Sequence, residues 1–180
     1  MVAAAASAIG LLPVRMLERP PQAWQPSIFL AFVGLISLAA SVHGVRALRR
    51  RAARPHVADY ALPVLLAAAS LAMGAWSHGN GFVLGLVFAA LGLLLAVPEL
   101  RVLVSPPAGA GWWVGEHLVG MMVASISTLT AFLVVNAARA LGPYSFVLWI
   151  APTVMLVPVM IRMKRRFVPR RAPPGTAALE

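Results

Sequence analysis

The stretch Tyr60–Pro98, YALPVLLAAASLAMGAWSHGNGFVLGLVFAALGLLLAVP, runs for 39 residues without a formal charge. An α-helix rises 1.5 Å per residue, and about 20 apolar residues cross the hydrocarbon core of a bilayer. The stretch is too long for one crossing and the right length for two. In its middle stands Ser77-His78-Gly79-Asn80-Gly81, a polar, glycine-containing break that reads as a turn. Residues 60–76 and 81–97 are therefore predicted to be two spanning helices joined as a hairpin.

The same reading extends outward in both directions. No residue between Arg19 and Arg46 is charged, which predicts a span over 27–45. Downstream, 113–136 reads as a fourth span. The Gly142-Pro143 turn then leads into a fifth over 144–161, where Pro152 and Pro158 each remove a backbone donor and predict a kink. The fold class is all-α, an integral membrane bundle of about five transmembrane helices over 27–163. A short apolar segment and loop precede it at 1–26, and a basic, proline-rich tail, expected to be disordered, follows at 164–180. Val2–Leu12 is apolar but too short to span. It reads either as a signal-peptide core lacking a basic n-region or as the last half of a helix whose beginning is missing.

Composition agrees. Of 180 residues, 61% are hydrophobic and 11% charged, whereas soluble domains hold about 45–50% and about 25%. The net charge of +10 comes from arginines in short blocks between apolar runs, a pattern that argues for charge at an anionic leaflet rather than for nucleic-acid binding. Lys and Arg divide twelve to three between the two sides of the five-span topology: Arg46, Arg49, Arg50, Arg51, Arg54, Arg101, Arg162, Lys164, Arg165, Arg166, Arg170 and Arg171 against Arg15, Arg19 and Arg139. The positive-inside rule then puts the C-terminus in the cytoplasm. The usage of Ala, Arg, Gly and Pro points to a bacterial inner membrane. The chain has no cysteine, which excludes disulfides, iron–sulfur clusters and cysteine-held zinc or haem.

Packing signals are confined to a few faces. In the third span Gly81, Gly85, Ala89, Gly92 and Ala96 recur at helical spacing, and in the second Ala67, Ser70 and Gly74 do the same. Such faces let helices approach closely where lipid supplies little drive for association. The fourth span carries a polar stripe, His117, Met121, Ser125, Thr128 and Phe132. It is expected to face into the bundle, either as structural hydrogen bonding or as a site for a small hydrophobic ligand, a lipid or a partner subunit, with Glu116 and Asp59 nearby.

Titratable groups gather at the basic end: His43, Asp59, Glu99, Glu116 and His117. Asp59 suits a helix N-terminus. Glu99, near a helix C-terminus, needs a cation, and Arg101 or a loop arginine is the expected one. His43 and His117, on different helices at similar depth, raise a b-type haem as a second function class. A transporter or channel component is a third, from the polar fourth span and the prolines of the fifth. No metal site is assigned, and no HExxH, GxSxG or phosphate-loop pattern marks an enzyme. A homo-oligomer or a partner membrane subunit is expected around so small a bundle.

His43–Arg51 (HGVRALRRR), Trp113–Asn136 with His117, Met121 and the run Thr130–Asn136, and the closing span with its basic end Arg162–Arg166 resemble a group of bacterial multi-span predicted membrane proteins that share a domain of unknown function. The likeness covers roughly 28–167. It implies membrane location and further helices ahead of the first span, and it assigns no activity. His43 stands where that pattern has a small residue.

Overall fold

A computed structural model describes residues 24–50, 55–105, 107 and 111–167, together with scattered positions between 6 and 17. The protein is an all-α bundle. Its helices are α1 (Gln25–Arg50), α2 (Val57–Gly79), α3 (Val83–Val104), α4 (Trp112–Leu141) and, after a 3-10 turn at Gly142–Phe146, α5 (Val147–Phe167). Among the described residues five spans are long and apolar enough to cross a membrane: Gln25–Arg50, Val57–Gly79, Val83–Val104, Trp112–Ala137 and Tyr144–Phe167. Helix is the form such sequences take in lipid because it satisfies its own backbone polar groups.

Every helix reaches beyond the apolar run that announces it. Arg46, Arg49 and Arg50 belong to α1, and Arg162 and Lys164–Arg166 belong to α5. Hydropathy marks the part of a helix that lipid requires, whereas the backbone ladder continues through the flanking basic residues. Helix α5 is continuous through both Pro152 and Pro158. The apolar segment Val2–Leu12 falls largely, and the basic tail after Phe167 wholly, outside the described residues.

The turns sit where glycine permits them. Chain reversal between α2 and α3 uses Gly81 at φ 65°, and the passage from α4 to α5 uses Gly142 at φ 51°. Both lie in the left-handed region that a side chain disfavours. Ser77 and His78 are still helical, so the break is narrower than its polar run. At the start of α2, the His56 backbone N–H donates to Asp59 Oδ2 at 2.8 Å and the Ala58 N–H donates to His56 Nδ1, a capping box. Asp59 Oδ1 also meets Arg46 Nη1 of α1 at 3.1 Å. Asp59→Ala removes both contacts, and a loss of about 1 kcal/mol is expected in a detergent unfolding titration, most of it from the cap.

Helix α1 is the centre: 67% of its spanning window is buried, against 11% for α5 at the periphery. Two pairings make the bundle. Helices α2 and α3 pack antiparallel through their small faces, with Ser70 opposite Gly92, Gly74 opposite Ala89 and Ser77 opposite Gly85. Helices α1 and α4 meet at Gly44 and Gly120. The α2–α3 hairpin packs on the α1–α4 pair along an apolar core of Phe32, Val33, Ile36 and Ala39 of α1, Leu66 and Met73 of α2, and Ala89 and Ala96 of α3, and a distinct contact marks each end of it. At one end Phe29 of α1, Phe88 of α3 and Trp149 of α5 form an aromatic cluster with centroids 5.0–5.5 Å apart, Phe88 edge-on to both other rings and Phe29 tilted against Trp149, extended by Phe82. At the basic end the connection is ionic.

Candidate functional site

The ionic connection begins with the face of α3. Its buried residues are Gly85, Ala89, Gly92, Ala96, Glu99 and Leu103. Glu99 thus continues the small-residue stripe one turn further and enters the bundle with it. Arg101, two residues on, points about 200° away. The cation for Glu99 is consequently not Arg101. The partner of Glu99 is His43 of α1, whose Nδ1 lies 2.8 Å from Glu99 Oε1 and which is a cation when protonated.

The other ring nitrogen of the same histidine is also engaged. His43 Nε2 lies 3.0 Å from Glu116 Oε2 of α4. One imidazole therefore bridges carboxylates from two other helices. The His43 and Glu99 side chains are 8% and 10% exposed and Glu116 is 26% exposed, so Glu116 is the member that reaches the surface. Arg50, one helical repeat along α1 and itself buried, brings Nη2 to 3.4 Å from His43 Nδ1, and its Nε has no hydrogen-bond partner. The much shorter Glu99 contact claims the Nδ1 proton, so Arg50 acts as a neighbouring positive charge. Lys164 of α5 adds a second positive charge near Glu116.

Proton counting follows from these distances. Each short N···O contact holds one hydrogen, so the Glu99–His43–Glu116 chain contains two. They are present with an imidazolium between two carboxylates, or with a neutral imidazole beside one carboxylic acid. Both forms carry net −1, which Arg50 balances. The charges must be paired because an isolated ion would be expensive at this depth.

The remaining predicted residues are placed differently. His117 Nδ1 lies 2.7 Å from the Gly44 carbonyl oxygen. A carbonyl only accepts, so Nδ1 carries the proton. Met121 packs beside Gly44, Thr128 Oγ1 lies 3.2 Å from Ser37 Oγ of α1, and Ser125 Oγ donates to the Met121 carbonyl at 2.8 Å. The polar stripe of α4 is thus a seam against α1 as far as Thr128, while Phe132 is 62% exposed beyond it. Asp59 stands apart, committed to Arg46 and the α2 cap. Adjacent Glu116 and His117 serve different partners, and among the described residues no three His, Asp or Glu side chains are disposed to hold a metal ion. A haem held between His43 and His117 would require His43 to give up at least one of its glutamates.

Two members of the cluster, His43 and Glu116, stand out in the sequence as single polar residues, and nothing there joins them. Glu99 stands out in the same way, as a carboxylate in need of a cation, but the sequence alone does not place it in a site; the signal that turns it inward is its register with Gly85, Ala89, Gly92 and Ala96. Arg50 hides in a basic block, distinguished only by lying seven residues, two turns, beyond His43.

Comparison with known proteins finds no matching family model, no matching curated protein and no matching solved structure.

Proposed function

We propose that this chain is a non-catalytic, multi-pass protein of a bacterial inner membrane, its basic end in the cytoplasm, and that it serves as the proton-responsive component of a transporter or channel. The observation that carries this reading is the imidazole of His43 held between carboxylates of two other helices. Titratable groups within a spanning bundle are costly and characteristically functional. The twelve-to-three division of Lys and Arg supports the orientation.

The device proposed is a latch. Glu99 belongs to the α2–α3 hairpin, and His43 and Glu116 belong to the α1–α4 pair. The latch closes with two protons in the chain. A third proton, taken up as pH falls, neutralises one carboxylate beside the imidazolium and so removes one of its two ionic contacts; a fourth leaves both carboxyls neutral and an imidazolium facing Arg50, and attraction turns to repulsion. Loss of a proton as pH rises leaves one carboxylate facing a ring nitrogen lone pair, and that contact also fails. The hairpin would therefore be held at intermediate pH and released on both sides of it, with apparent midpoints belonging to the three groups together.

The absence of native cysteine makes the test direct. Spin labels on Leu48→Cys of α1 and Ser105→Cys after α3, in lipid nanodiscs between pH 4 and 10, should report a shorter distance at intermediate pH than at either extreme. The same pair in a His43→Leu/Glu99→Met/Glu116→Met background should show no pH dependence. A wild-type distance indifferent to pH sinks the latch.

Binding of a small hydrophobic ligand or partner subunit through the polar face of α4 has less support, because α1 occupies that face from His117 to Thr128. The haem reading rests on His117 alone once His43 is committed to its glutamates, and an absorption spectrum of the purified protein tests it.

A further inference from the structure

Arg101 is set apart from the other charges of the bundle interior. It is exposed, and none of the ion pairs among the described residues includes it. Its neighbours at helical spacing on α3 are Leu94, Val97 and Val104, all exposed and apolar, with Leu94 at 68% and Val104 at 75%. An apolar ridge this exposed in a spanning helix faces acyl chains. Arg101 is the single cation on it, near the helix end where the basic residues of α1 and α5 also gather. Around it lies a groove of about 560 Å³, otherwise lined by Val97, Leu100, Val102, Val104 and Ser105.

We infer that this groove is a binding site for one anionic phospholipid, the phosphate on the Arg101 guanidinium beside Val104 and an acyl chain running inward along Val97 and Leu94. Charge complementarity selects the occupant. A guanidinium presents a planar fork of donors matched to phosphate, and its aliphatic stem lies along the apolar wall while the head reaches the interface. A partner helix would leave the cation unpaired in an apolar contact, and a zwitterionic lipid brings its own cation to compete. From Arg101 inward to Leu94 the ridge runs about 10 Å, enough to line the upper half of an acyl chain. The site lies on the opposite face of α3 from Glu99, so its occupancy and the latch can fail independently.

The test is native mass spectrometry of the full chain released from nanodiscs containing equal phosphatidylglycerol and phosphatidylcholine. Retained phosphatidylglycerol should exceed phosphatidylcholine about fivefold, the preference expected from one basic residue at an anionic surface. Arg101→Gln should bring the two to parity, and Arg165→Gln, on the basic end of α5, should not. Val104→Trp, which puts an indole into the groove beside Arg101 and leaves the charge, should lower retention of phosphatidylglycerol as well. Equal retention by the wild type, an undiminished preference in Arg101→Gln, unchanged retention in Val104→Trp, or displacement of the lipid by inorganic phosphate alone would each overturn the assignment.

Discussion

His43→Ala is expected to destabilise the bundle by about 3–5 kcal/mol, the cost of removing one partner from a buried ionic cluster. The substitution leaves Glu99, 10% exposed, and Glu116 facing each other across the space of the lost ring, with Arg50 the nearest buried positive charge. Two carboxylates in that position repel, and one must take up a proton. Stability should therefore improve as pH falls in the variant, because protonation relieves the repulsion. The wild type should instead weaken when a third proton enters its latch. A reversible unfolding titration in mixed micelles at two pH values measures both slopes. Equal stability of variant and wild type would show that the three groups are not coupled. Glu99→Gln is milder, since an amide oxygen still accepts from Nδ1, and a loss of about 1 kcal/mol is expected.

A companion substitution separates stability from function. Replacing all three residues, as His43→Leu/Glu99→Met/Glu116→Met, removes the linked charges at once and leaves Arg50, the remaining buried charge among the described residues, to find the surface. Well-packed apolar replacements of buried ion clusters are commonly neutral or stabilising. The triple variant is expected to be within about 1 kcal/mol of the wild type or above it, and to lose the pH-dependent distance between α1 and α3. A cluster that can be replaced without loss of stability has a role other than holding the fold, and a proton-dependent joint between helices is such a role.

The legibility of this architecture in the sequence follows from the range of each interaction. Hydropathy and glycine are local, so the five spans and the reversals at Gly81 and Gly142 can be read directly. The close face of α3 is also local, because Gly85, Ala89, Gly92 and Ala96 share one helix and one period. Reading that period one step further reaches Glu99. Treating Glu99 as a terminal residue instead assigns it to Arg101 or a loop arginine, and the helical rotation turns Arg101 the other way. The pairing of α1 with α4 is not local. Helices adjacent in the chain are the natural expectation, yet α1 makes its closest approach to a helix three elements later. No property of residues 25–50 alone names that partner. The Glu99–His43–Glu116 chain depends on this pairing and on the position of the hairpin together, so its members are visible singly and their union is not.

Gly120→Leu is expected to prevent native assembly of α1 with α4, and even Gly120→Ala should cost about 1–3 kcal/mol. A Cβ at this position would stand 2.7 Å from the Ala40 carbonyl oxygen and 2.8 Å from both Gly44 N and Gly44 Cα. These are backbone atoms of the facing helix, so no side chain can swing aside and the helices must separate. Separation acts on everything built across the seam. The His117 contact with the Gly44 carbonyl at 2.7 Å, the Ser37–Thr128 contact at 3.2 Å and the His43–Glu116 contact at 3.0 Å all span α1 and α4, so all lengthen together. In membranes each such hydrogen bond is worth only about 0.6 kcal/mol on average, and the loss therefore comes chiefly from close packing. Gly79→Ala is the appropriate control, because a Cβ there meets nothing within 4 Å and its φ is not in the left-handed region. A thermal unfolding scan in detergent should separate the two variants clearly, and the spin-label distance between α1 and α3 should lose its intermediate-pH minimum in Gly120→Ala, because Glu116 is carried away from His43 with the rest of α4. If Gly120→Ala melts with the wild type and keeps that minimum, the close crossing of α1 and α4 is not the element that aligns the latch.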